Sequence, residues 1–190
     1  GLILKYNIII YVTLFFMLGD NFSYLEKEFL QNVILVLLII LSLNIRGFLY
    51  MGDSGAYLLS LFTGIYLINL SSTNIFISPY FIILLLWYPC FELLFSMIRR
   101  SLKAMKTYKP DNFHLHQLIY TFVKIKLNLK NNLIVHFFTS LAINLYNLVI
   151  FLIALNYRYD SKIIIYLILF NLITYISTYK ILNKIYKIKK

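Results

Sequence analysis

Apolar residues in this chain neither alternate with polar ones nor leave a polar stripe at helical spacing; they run together. From position 33 to 43 every residue except Ser42 is apolar, and runs of similar character recur at 2–18, 29–45, 54–70, 76–98, 131–157 and 162–182. A helix needs about 20 such residues to cross the hydrocarbon of a bilayer. The pattern therefore predicts six membrane-spanning helices in an all-α, polytopic membrane protein. A transmembrane barrel is excluded, because its strands would alternate apolar and polar positions.

Composition agrees: 61% hydrophobic residues against 13% charged, with a mean hydropathy of +0.80, exclude a soluble globular domain. A net charge of +11 could point to nucleic acid. Its distribution says otherwise. If the segments between spans alternate sides, only Lys27, Arg158 and Lys162 fall on one side, and the other 15 of the 18 basic residues fall on the other. By the positive-inside rule that richer side faces the cytoplasm, so the charge reports topology and no nucleic-acid partner is expected. The single cysteine, Cys90, lies inside an apolar run and offers no disulfide framework. The chain starts at Gly1 without a signal-peptide pattern, and is expected to be a piece of a longer one.

Of the seven acidic residues, Asp20, Glu26, Glu28 and Asp160 fall in the two segments opposite the basic side, where solvation explains them. Asp53, Glu92 and Asp111 do not fit so easily. Asp53 stands between Gly52 and Ser54-Gly55 at the mouth of the third span, where it can cap a helix start or hold a hard divalent cation beside phosphate. Glu92 lies about 10 Å inside Arg99 along a helix, deep enough to demand a protein partner or a water-filled cleft. Pro89 is expected to kink that span and free carbonyls lining the cleft. The segment 99–130, expected as a cytoplasmic loop, carries Pro110-Asp111-Asn112-Phe113-His114-Leu115-His116-Gln117. Histidines two apart do not share a helical face and suit a loop that grips a ligand, with Leu115 turned away, or else are surface residues. His136, within an apolar span, reads as a packed, hydrogen-bonded histidine.

Four motifs in order, residues 48–56 (Phe-Leu-Tyr-Met-Gly-Asp-Ser-Gly-Ala), 87–92 (Trp-Tyr-Pro-Cys-Phe-Glu), Arg99-Arg100 and 110–118, resemble the second half of the polyprenyl-phosphate N-acetylhexosamine-1-phosphate transferases. The resemblance covers nearly the whole chain. It implies transfer of a sugar-1-phosphate from a UDP-activated amino sugar to polyprenyl (undecaprenyl) phosphate at the inner face of a bacterial plasma membrane, releasing UMP with Mg²⁺. Such products initiate cell-envelope polysaccharides. Asp53 would be a catalytic magnesium ligand, and His114 and His116 catalytic donors to the diphosphate. Arg99, Arg100, Asp111, Gln117 and Glu92 would meet substrate. Gln117 stands where the family often has a third histidine, and cannot carry its charge. The family's aspartate-rich motifs would precede Gly1, so the chain is expected to be the C-terminal part of a ten- or eleven-helix enzyme, inactive alone, with a homodimer as a further expected assembly. The rival expectation is a non-enzymatic membrane protein, a transporter half or degenerate scaffold; its polar residues would gather at mid-membrane, not at the basic end.

Overall fold

The computed structural model describes residues 1–18, 24–102, 113–128 and 131–188, and among these every regular element is a helix. They are α1 (Leu2–Leu18), α2 (Tyr24–Ile45), α3 (Gly52–Thr73), α4 (Pro79–Leu85), α5 (Trp87–Leu102), α6 (Leu115–Lys126), α7 (Asn132–Asn156) and α8 (Ser161–Ile188). The protein is all-α and polytopic. Helices α2, α3, α7 and α8 are each long and apolar enough to cross a membrane, and α4 with α5 passes the same test only as a pair bent by 70°, the geometry of a broken span or a re-entrant loop. The sixth expected span, α1, has 17 residues and so reaches roughly 25 Å, short of a hydrocarbon core of about 30 Å.

Short as it is, α1 is the hub. Leu4, Ile10, Tyr11 and Leu14 are at most 2% exposed, and the helix packs on α2, α7 and α3. Its buried polar groups satisfy one another in a relay: Tyr11 donates to Thr63 Oγ1 (3.1 Å), Thr63 to Asn7 Oδ1 (2.7 Å), and the Asn7 amide to the Ile3 carbonyl (2.9 Å). The directions follow because Asn7 Oδ1 can only accept, which commits the Thr63 proton to it.

The bend falls at Leu86, three residues before the proline expected to cause it. Pro89 has no N–H to give the Leu85 carbonyl four residues back, so that turn cannot close. The freed carbonyl does not line a cleft as expected, since the Tyr6 hydroxyl donates to it at 2.8 Å from α1. Tyr6→Phe leaves this buried acceptor unpaired and is expected to lower stability by about 1 to 3 kcal/mol. A thermal melt in detergent checks it, and an unchanged midpoint would remove Tyr6 as the partner that stabilises the bend.

The ends of the bundle alternate as the basic residues imply. At one end the α3–α4 and α7–α8 connections meet, with Ser78 N–H donating to the Arg158 carbonyl (3.0 Å) and the Ser78 and Ser161 hydroxyls 2.9 Å apart. Asp160, expected there as a solvated residue, also caps α8 by accepting from Lys162 N (2.9 Å) and Ile163 N (3.3 Å). At the opposite, basic end Lys5 Nζ donates to Ser140 Oγ at 2.6 Å, and Gly1 lies so near Asn44 that an added Cβ would meet its Oδ1 at 3.2 Å. The starts of α1 and α7 and the end of α2 therefore share that end.

Candidate active site

The segment 99–130 is not a loop throughout. Residues 99–102 belong to α5 and 115–126 form α6. Leu115, Leu118, Ile119 and Phe122 recur at helical spacing, the first two buried and the others packed on the core, so α6 docks by an apolar stripe on α7 and α8. His114 is its N-cap in an extended conformation (φ −70°, ψ 149°). That departure from helical backbone is what lets two histidines two apart come together: their rings stack with centroids 5.6 Å apart and planes 19° from parallel. Leu115 between them turns into the core, as expected.

One carboxylate organises this turn. Glu92 Oε1, on α5, accepts from the Leu115 N–H at 2.9 Å and lies 3.0 Å from His114 Nδ1, while Oε2 accepts from the Tyr175 hydroxyl of α8 at 2.8 Å. With side chains only 27% and 12% exposed, the His114–Glu92 contact is shielded from water. An ionised carboxylate cannot donate, so His114 donates from Nδ1. Glu92, expected to meet substrate, thus ties α5, α6 and α8 together. Gln117 Oε1 accepts from the His114 N–H at 3.2 Å, the reciprocal half of a capping box. This structural contact explains a glutamine at that position. His116, in the first turn of α6, is held below the usual histidine range, chiefly by burial; Glu92 opposes this, and His114 and His136 add to it.

The remaining expected residues are spread around this centre. Arg99, expected to meet substrate, is buried, with its guanidinium 5.7 Å from the Phe113 ring centroid and 5.9 Å from that of Tyr179, so it braces the residue preceding His114. Arg100 is half-buried in the same last turn. Asp111 lies outside the described residues. His136 is not packed as expected: it is exposed, with its ring 4.4 Å from that of Tyr120. Its coupling to His116 adds a third imidazole that sequence reasoning set aside.

Asp53 is exposed in the first turn of α3, just after Gly52, whose φ of +62° is the left-handed backbone that glycine tolerates. Met51 occupies the N-cap, so Asp53 is not the cap. α3 packs mainly on α1 and α4 while α6 packs mainly on α7 and α8, so Asp53 and the histidines stand on helices without extensive mutual packing. Among the described residues no group of three or more His, Cys, Asp or Glu could hold a metal ion. Asp53 alone suits the one-carboxylate, phosphate-and-water style of Mg²⁺ binding, not a resident cage. Asp53→Asn has no capping bond to lose and should leave stability within about 0.5 kcal/mol. If Asp53 serves as a ligand to a metal, the same substitution weakens divalent-cation binding, whereas unchanged Mg²⁺ affinity removes the metal role.

Beside Leu115 and Tyr175 lies a cavity of about 210 Å³, also bounded by Trp87, Tyr88, Tyr146 and Asn147. It is smaller than the roughly 300 Å³ at which ordinary ligand pockets begin, so it is not itself a nucleotide-sugar pocket. No family model, curated protein or solved structure matches the chain.

Proposed function

We propose that the basic end of this membrane protein transfers a sugar-1-phosphate from a UDP-activated amino sugar to a polyprenyl phosphate. A phosphate oxygen of the lipid attacks the sugar-bearing phosphorus, the bond to the bridging oxygen breaks, and UMP leaves with that oxygen. Displacement between two polyanions needs charge stabilisation and positioning more than covalent help from protein. The observation that carries the reading is the pair of stacked imidazoles at the start of α6, fixed by Glu92 at the basic end of an otherwise apolar bundle. The order and spacing of the four sequence motifs support it independently.

In this reading His114 and His116 face the phosphates, Arg99 positions the histidine turn through Phe113, and Asp53 contributes one ligand to Mg²⁺ brought with the nucleotide. The side bearing the histidines is cytoplasmic, in a bacterial plasma membrane. The test is product formation: membranes carrying the complete reading frame, given UDP-N-acetylhexosamine and undecaprenyl phosphate, should release UMP only when the lipid and Mg²⁺ are both present. UMP release that ignores the lipid, or none with any UDP-amino sugar, overturns the proposal.

A further inference from the structure

We propose that the two histidines of α6 divide the work at this site, His114 serving as a hydrogen-bond donor locked by Glu92 and His116 as a neutral imidazole that accepts a proton. The protonation states stand on the geometry of the stacked pair and the burial of His116; what His116 accepts from rests on the transfer reading above. His114 Nδ1 lies 3.0 Å from a carboxylate oxygen that also takes the Leu115 N–H, so the proton on Nδ1 is fixed by a group that can only accept. The His116 ring lies against His114, nearly parallel at 5.6 Å. Two imidazolium rings held this close would repel, and among the described residues only His114 of the two has a carboxylate bonded to it. Whichever charge the pair takes, His116 is the worse place for it.

The groups around His116 point the same way. From α5 comes Glu92, already holding three donors, one of them Tyr175 of α8. From α7 comes His136, its ring tilted against that of Tyr120. Lys124, one turn along α6 from Tyr120, bonds Asn132 of α7 and adds positive field on that flank. Burial, together with His114 and His136, holds His116 below the usual histidine range, and among the described residues Glu92 pulls the other way.

A neutral imidazole at neutral pH offers a lone pair. A phosphate monoester keeps its last proton to about pH 6. His116 would take that proton: the O–H bond breaks, an N–H bond forms, and the electron pair stays on the oxygen that attacks phosphorus.

The chain has three histidines, so ¹⁵N-histidine NMR of the protein in lipid nanodiscs resolves each ring, with His136→Gln and His114→Gln giving assignments. At pH 7 His116 should be neutral with a midpoint below about 6.5, and His114 should show its proton on Nδ1. His114→Gln should raise the His116 midpoint, and Glu92→Gln should shift His114 away from the Nδ1–H form. By linkage, the neutral His116 contributes stability above pH about 6.5 that is lost as pH falls through its folded midpoint. A His116 cationic at pH 7, or a midpoint unmoved by His114→Gln, overturns the proposal even if Glu92→Gln fails to fold. Failure of the transfer reading would show separately, as absent UMP release with these protonation states intact.

Discussion

His114→Ala and His116→Ala each lower UMP release by at least tenfold, and toward 100- to 1,000-fold, in membranes carrying the complete reading frame. The magnitude is that of losing one positioned donor to developing phosphate charge, or one acid–base group. His114→Ala also removes a partner of Glu92, but the Leu115 N–H and Tyr175 hydroxyl remain on that carboxylate, so the turn keeps its shape. His136→Ala is the control. Its exposed ring lies tilted against Tyr120, outside the hydrogen bonds of Glu92, and turnover should stay within about twofold. Equal activity in all three variants would leave the histidine turn as a helix cap with no chemistry.

Glu92→Ala has the larger effect on folding. It strands three donors at once, the His114 ring and the Leu115 amide at the start of α6 and the Tyr175 hydroxyl of α8. Stranding shielded donors costs about 1 to 3 kcal/mol each when nothing replaces the acceptor, and water entering the turn recovers part of it. A net loss of about 3 kcal/mol is expected. Tyr175→Phe removes one donor and leaves the acceptor with two, so about 1 kcal/mol is expected. Melts of the two variants in the same detergent decide this, and equal midpoints would mean that Glu92 does not tie α5, α6 and α8 together.

Hydropathy alone located the spans because their apolar runs are continuous and need no tertiary knowledge; α1, α3, α7 and α8 begin within two residues of the expected starts. The bend went to Pro89 because that is the residue a sequence displays, whereas the hydrogen bond a proline fails to make is missed at the carbonyl four residues earlier, by Leu86. Helix α6 was hidden for a different reason. Leu115, Leu118, Ile119 and Phe122 spell a helical stripe, and Gln117 stands three residues after His114 as in a capping box. Histidine is an unusual cap, and reading the pair as ligand-gripping obscured both signals. Glu92 could be recognised as needing a partner, yet which partner depends on the packing of α5 against α6 and α8, invisible in one dimension. The exposed position of His136 likewise follows from the direction in which α7 faces.

The central claim, sugar-phosphate transfer at the basic and cytoplasmic end, is met most directly by sealed vesicles of known orientation. Inverted vesicles carrying the complete reading frame, supplied externally with UDP-N-acetylhexosamine, should release UMP in proportion to added undecaprenyl phosphate, and sealed right-side-out vesicles should not until permeabilised. Release from intact right-side-out vesicles, or from neither kind after permeabilisation, would contradict the account.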